Sequence, residues 1–142
     1  FLLVKQPGST DEVRIGRAIA IPKSLYKMWG DRATYIAQLE LMAVLVTMVV
    51  SASHIRGTRG LWCVDNVAAL MALVKGCSKV PSLDHMAKVI HLASFALGIS
   101  AYYEYVESHA NWSDEISRLG PKGSWARDRG FAPEWCGACE EV

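Results

Sequence analysis

The chain has 142 residues, of which 51% are hydrophobic and 20% are charged. This length and apolar content suffice for one compact domain with a buried core, and they exclude a disordered chain. The formal net charge of +1 argues neither for nor against a polyanionic partner. The longest apolar run begins at Leu39, contains Glu40 and is shorter than the roughly 20 residues of a membrane span. We therefore expect no membrane partner.

The cysteines indicate the compartment in which the chain works. Cys63 and Cys77 lie in apolar segments, and the four cysteines are spaced unlike a disulfide framework. We expect these two to be small buried residues of an intracellular protein, cytoplasmic or nuclear, because no secretory signal is visible. Cys136 and Cys139 form a single Cys-x-x-Cys motif, which is a weak zinc signal without a second pair of ligands.

The first fifty residues predict a hairpin followed by a helix. Residues 1–6 read as a short strand, residues 7–12 contain the Pro, Gly, Ser and Asp typical of a turn, and residues 13–21 alternate between apolar and polar. From about residue 35 to residue 53, apolar residues recur at steps of three and four, which predicts a helix.

The remaining elements alternate between strand and helix. The predicted order is a strand at 61–65, helices near 66–75 and 82–97, a strand at 99–107, a helix near 113–119 and an irregular tail. This order favours an α/β fold with one mixed sheet, in which an antiparallel hairpin and parallel strands are flanked by helices. We expect one domain over residues 1–120 and an irregular segment over residues 121–142.

Three acidic residues need an explanation, and two of them have two readings. Glu40 interrupts an apolar helix, where it either lies near the core edge in the first turns or binds a partner. Asp65 ends a buried strand, where it either caps the next helix or binds a metal ion. Asp114 begins a short helix, where an acid is favoured by the helix dipole.

The order of these acids and the stretches around them resemble a known family. "YIAQLELMAVL", "LWCVDNVAALMALVKG" and "YVESHANWSDEISRLG" are similar to the ribonuclease H domains of retroelement reverse transcriptases over about residues 1–120. The resemblance implies a ribonuclease H-like fold and a metal-dependent endonuclease that cleaves the RNA strand of RNA–DNA hybrids. It maps three catalytic, metal-binding acids onto Glu40, Asp65 and Asp114.

The implied chemistry depends on clustered carboxylates. Two Mg²⁺ or Mn²⁺ ions about 4 Å apart activate the attacking water and stabilise the leaving oxygen of a phosphodiester. On the resemblance, Asp65 and Glu40 hold one ion and Asp114 holds the other, and His109 assists proton transfer or product release. The implied partners are an RNA–DNA hybrid and the neighbouring reverse transcriptase domain of a polyprotein.

The first catalytic Asp of the family has no counterpart in this sequence. The family carries it on the first strand, and residues 1–22 instead look like the second and third strands, so we expect the missing strand just before Phe1. Asp11 lies in the predicted hairpin turn and is a poor replacement. The alternative reading is therefore a catalytically inactive ribonuclease H-like scaffold or connection domain of a polyprotein.

Substrate contacts are assigned to polar and basic side chains near the acids. Asn66 can donate to a backbone or 2′-hydroxyl oxygen, and a hybrid is read through its shape, phosphates and 2′-hydroxyls. The candidate substrate-binding residues are Asn66, Arg56, Arg59, Lys75 and Arg118.

Overall fold

The computed structural model describes residues 2–5, 10, 12–120 and 122–135. The chain forms two compact units, of which the first comprises Phe1–Leu25 and His109–Val142 and the second comprises Tyr26–Ser108. Asp11 and the Cys136–Cys139 motif lie outside the described residues.

The first unit contains a three-stranded sheet and two short helices. Strands β1 (Leu2–Lys5) and β2 (Glu12–Ala18) pair antiparallel, and β5 (Ala132–Trp135) pairs parallel with the other edge of β2. Helix α6 (Trp112–Leu119) contacts β2, and α7 (Ser124–Asp128) contacts α6 and β5. Ile116, Ala126 and Phe131 form the buried core of this unit.

Helix α1 (Lys23–Trp29) leads from the first unit into the second. The second unit then contains α2 (Ile36–Val50), α3 (Ala52–Ile55), β3 (Arg59–Val64), α4 (Val67–Lys75), α5 (Pro81–Leu97) and β4 (Ser100–Tyr105). Strands β3 and β4 pair in parallel, from Arg59 opposite Ser100 to Val64 opposite Tyr105. A parallel pair needs a crossover connection, which α4 and α5 supply.

The core of the second unit lies among α2, α4 and α5. Each helix contacts the other two, and α4 also packs on β3 and β4. The fully buried side chains include Leu41, Met48, Leu73, Ile90 and Val64. At about 25 cal/mol per Å² of apolar area, each of these large side chains contributes roughly 1.5–3 kcal/mol relative to exposure.

The mixed α/β class predicted from the sequence is confirmed, whereas the prediction of a single mixed sheet is wrong. The described strands form two sheets, with the order β1–β2–β5 in one and β3–β4 in the other. The parallel β3–β4 sheet carries no antiparallel hairpin, because the antiparallel pair belongs to the other sheet.

Two local expectations also differ from the structure. The segment predicted to be irregular contains α7 and β5, and β5 is held by its hydrogen bonds to β2. Cys63 and Cys77 are exposed rather than buried. Cys63 is on the uncovered face of the β3–β4 sheet, and Cys77 follows α4 in the loop to α5. Among residues with described positions, no helix combines the length and apolar character needed to span a bilayer.

Candidate functional site

Asp65 lies at the carboxyl end of strand β3, directly before the helix that returns along the sheet. Val64, the last strand residue, is fully buried, and β3 pairs in parallel with β4 along its whole length. The strand end is therefore fixed by its hydrogen-bonded neighbour. Asp65 itself is half-buried at this edge of the sheet.

The residue that caps α4 is Asn66. Its backbone is extended, and its side-chain oxygen accepts a hydrogen bond of 3.0 Å from the backbone N–H of Ala69. Asn is among the strongest N-cap residues, because its side chain satisfies an amide that has no partner within the helix. The N-cap of α4 is thus Asn66, and the reading of Asp65 as the cap of this helix is wrong. The side-chain oxygen of Asn66 is engaged in this cap, whereas the predicted donation to substrate concerns its amide nitrogen and stays a prediction.

The carboxylate of Asp65 makes no hydrogen bond or ion pair with any residue that the structure describes. A half-buried charge loses part of its hydration, and this cost is offset when a cation or a donor binds it. The Asp65 carboxylate is therefore half-buried without a hydrogen bond or ion pair from the described residues, a state that favours binding of a cation or a donor.

Glu40 lies in α2, beyond the first turn of the helix, and it is half-buried. Helix α2 begins at Ile36, which places Glu40 in its second turn, so both readings of this residue stay open. Helix α2 packs against α4, the helix that Asp65 precedes, so both acids belong to elements of the same packed unit.

Asp114 lies in the first turn of α6, as predicted, and its carboxylate is ion-paired. Arg118 follows it by one helical turn, and the two side chains meet through contacts of 3.1 Å from Nε to Oδ1 and 2.9 Å from Nη2 to Oδ2. The cap of α6 is Asn111, whose side chain accepts hydrogen bonds from the N–H and hydroxyl of Ser113. Arg118 is thus a partner of Asp114, in addition to its predicted contact with substrate.

His109 lies in a short 3₁₀ helix at Ser108–Ala110 and is exposed. It belongs to the first unit with Asp114 and Arg118, whereas Glu40 and Asp65 belong to the second. Asp114 and Arg118 are the predicted site residues that the structure brings into direct contact.

The basic side chains of the second unit are exposed, and Arg59 lies far from Asp65. Arg59 begins β3 and Val64 ends it, so about 16 Å of strand separates Arg59 from Val64, the residue before Asp65. Arg56 precedes this strand, and Lys75 ends α4. These cations flank Asp65 in sequence, but a ligand touching both Asp65 and Arg59 must extend along the length of the strand.

Within the described part of the chain, no three His, Cys, Asp or Glu side chains are grouped so that they could hold a metal ion. Glu40 and Asp65 belong to the second unit and Asp114 to the first, so the predicted metal-binding set stays a prediction. Asp114 is also neutralised by the Arg118 guanidinium.

One cluster of side chains was missed by reasoning from the sequence. Arg129 follows Trp125 by four residues, which is the spacing that places two side chains on one face of a helix. In the structure the Arg129 guanidinium lies 4.2 Å from the centre of the Trp125 ring. The spacing was a usable signal, but the Gly- and Pro-rich composition of the segment predicted irregular structure.

No protein-family model, curated protein or solved structure matches this chain.

Proposed function

We propose that the chain is part of a ribonuclease H-like domain of a retroelement reverse transcriptase, which cleaves the RNA strand of RNA–DNA hybrids. The observation that supports this proposal best is the state of Asp65. Its carboxylate is half-buried at the end of a parallel strand, Asn66 performs the capping, and no described residue pairs with it. A carboxylate in this position is suited to bind a hard divalent cation.

The residues described do not by themselves provide the ligand set that this chemistry requires. Two-metal hydrolysis needs several clustered oxygen ligands, and no group of three candidate side chains is found among the described positions. No catalytic step through Mg²⁺ or Mn²⁺ therefore follows from this geometry. When bound, such ions would activate water and stabilise the leaving oxygen.

The substrate assignment depends on the spacing of charges in the second unit. Arg56 and Arg59 are exposed near the start of β3, and Asp65 lies beyond its other end. A nucleic-acid duplex is long enough to contact both ends of a 16 Å strand, with the phosphates near the arginines and the reacting group near Asp65. The neighbouring reverse transcriptase domain remains the proposed protein partner.

A specific contact favours a second candidate function, a non-cutting scaffold or connection domain of the same fold. The Arg118 guanidinium binds both oxygens of the Asp114 carboxylate, which satisfies the negative charge without a metal ion. A carboxylate held in this way serves the stability of its own helix.

Incubation of the chain with a labelled 20-base-pair RNA–DNA hybrid and Mg²⁺ or Mn²⁺ separates the two candidates. The matched control is Asp31→Asn, because Asp31 is exposed and lies outside the helices and strands of the same unit. The nuclease proposal predicts RNA cleavage by the wild type and by Asp31→Asn, and loss of cleavage in Asp65→Asn. Hybrid binding without cleavage would support the scaffold, and equal cleavage by Asp65→Asn would overturn the role of Asp65. Absence of both binding and cleavage would overturn both candidates.

A further inference from the structure

The parallel sheet of the second unit has one covered face and one face that is exposed. On the covered side, α4 packs on both strands, and the Tyr103 ring of β4 meets the His91 ring of α5 edge to face. The exposed side, which we call the open sheet face, carries three paired positions of the two strands, and all of its side chains are exposed. Its members are Arg59, Leu61, Cys63, Ser100, Tyr102 and Glu104.

The centre of the open sheet face is apolar. Leu61 lies directly opposite Tyr102 in the register of the strands, and the two residues are 65% and 66% exposed. Parallel sheets occur almost only with both faces covered, because one uncovered face leaves large apolar side chains in water. The uncovered pair therefore indicates a surface that docks a partner.

The end of this face at which the strands begin is positively charged. Arg59 is the first residue of β3, and the exposed Arg56 precedes it. No acidic residue occurs in the sequence from 41 to 64, so no carboxylate of this stretch offsets the two guanidinium groups.

The end at which the strands finish is negatively charged. Glu104 lies near the end of β4, Asp65 follows β3, and Glu107 follows β4. No basic residue occurs at positions 60–66 or 99–108. Among the residues whose positions are described, neither Arg59 nor Glu104 takes part in an ion pair, so both charges of the face are available.

A face with this pattern is complementary to itself. A two-fold axis that lies in the interface, nearly perpendicular to the strands, sets the start of the strands in one copy on their end in the other. Arg59 of each copy then lies near Glu104 of the other. The Leu61 and Tyr102 side chains of both copies meet at the centre, as in two sheets packed about 10 Å apart.

We propose that the open sheet face binds the same face of a second copy of this chain and forms a symmetric dimer. Two strands of six residues present only about 10 Å by 20 Å, against roughly 800 Å² buried by each partner of a stable complex, so we expect weak association. This inference does not depend on the proposed function. Because the dimer covers Arg59, a candidate substrate contact, a second copy and a hybrid exclude one another at that residue.

Sedimentation velocity from about 10 µM to about 500 µM protein measures the association, with a reducing agent to keep the exposed thiols from cross-linking. We expect the sedimentation coefficient of the wild type to rise with concentration from the monomer value toward that of a dimer. Tyr102→Ser should weaken the association roughly tenfold or more, because each copy loses an aromatic ring at the centre of the interface. The matched control is Phe95→Ser, which should dimerise as the wild type does, since Phe95 is 85% exposed on α5 and lies outside the open sheet face.

Reversal of single charges tests the symmetry of the interface. Arg59→Glu and Glu104→Arg should each weaken self-association roughly tenfold or more, because two repulsive contacts replace two attractive ones. An equimolar mixture of the two variants should associate as the wild type does, since every contact between unlike copies again joins an acid to a base. Recovery in the mixture also shows that both variants are folded.

A wild type that stays monomeric over the whole concentration range overturns the proposal. Slow alkylation of Cys63 in that monomer would indicate that another part of the same chain covers the face, and rapid alkylation would leave the face to a different partner. A dimer that Tyr102→Ser and both charge reversals leave unchanged uses another surface and overturns the proposal as well.

Discussion

Replacement of Asn66 by alanine removes the cap of α4 and tests which of two neighbouring residues holds the start of that helix. The lost contact is a 3.0 Å hydrogen bond to the N–H of Ala69, a residue that is fully buried. Loss of an N-cap costs about 0.5–2 kcal/mol, and we expect a value of about 1–2 kcal/mol here because the orphaned amide lies beside the core.

The matched substitutions are Asp65→Asn and Asn66→Ser. Serine is also a good N-cap, so Asn66→Ser should restore most of the stability lost in Asn66→Ala. Asp65→Asn removes a charge near the positive end of the helix but no cap, and we expect the free energy of unfolding to change by no more than about 0.5 kcal/mol.

The assay is urea denaturation followed by circular dichroism, with amide hydrogen exchange at Ala69 as the local readout. Asn66→Ala should lower the denaturation midpoint and accelerate exchange at Ala69. If Asp65→Asn destabilises the protein as much as Asn66→Ala, then Asp65 shares the capping role and its assignment as a ligand carboxylate is wrong.

Three further predictions concern charges and thiols. Arg118→Ala removes an exposed ion pair with Asp114, which lies one helical turn earlier on α6. The free energy of unfolding measured by urea denaturation should fall by only about 0.3–0.5 kcal/mol. The hydrogen bond from Lys88 holds the pKa of Asp84 below 3.8, so its stabilising effect is present above that pH and is lost as the pH falls through the folded pKa. The free energies of unfolding of the wild type and Asp84→Asn should therefore begin to converge as the pH falls below 3.8 and should converge fully below the folded pKa; a constant difference across this range would refute the prediction. Partial desolvation of the exposed Cys63 thiol, followed by the negative charge of Glu104, raises the pKa of Cys63. Glu104→Gln should therefore increase the thiolate fraction and speed alkylation of Cys63, and an unchanged rate would contradict this.

Local patterns in the sequence predicted most of the helices and strands of the second unit. Strand β3 was predicted as buried, yet only one of its faces is covered: Leu61 and Cys63 are exposed, whereas Trp62 and Val64 are covered. Helices α4 and α5 end at Gly76 and Gly98, which adopt the left-handed conformation.

The buried face of α2 could not be predicted from periodicity. The sequence suggests a stripe that includes Ile36, Ala43 and Val50, yet these are exposed, and the buried face contains Leu41 and Met48. This helix is apolar on nearly all sides, so the 3.6-residue period does not select one face. The face of α2 that is buried is determined instead by its packing against α4 and α5.

The division of roles between Asp65 and Asn66 was also beyond the sequence. Both residue types are good caps, and only the backbone conformation decides which side chain reaches the free amides. The pairing of β5 with β2 depends on contacts between distant parts of the chain, which local composition does not report.

Titration of Mn²⁺ into the chain by isothermal calorimetry tests the central claim most directly, with Asp65→Asn, Asn66→Ala and Asp31→Asn as parallel samples. If Asp65 is a ligand carboxylate, Mn²⁺ binding is lost or strongly weakened in Asp65→Asn. The uncapped Asn66→Ala, kept under conditions in which it is folded, and the control Asp31→Asn should bind as the wild type does. Equal Mn²⁺ binding by the wild type and Asp65→Asn, or no binding by the wild type, would contradict the claim.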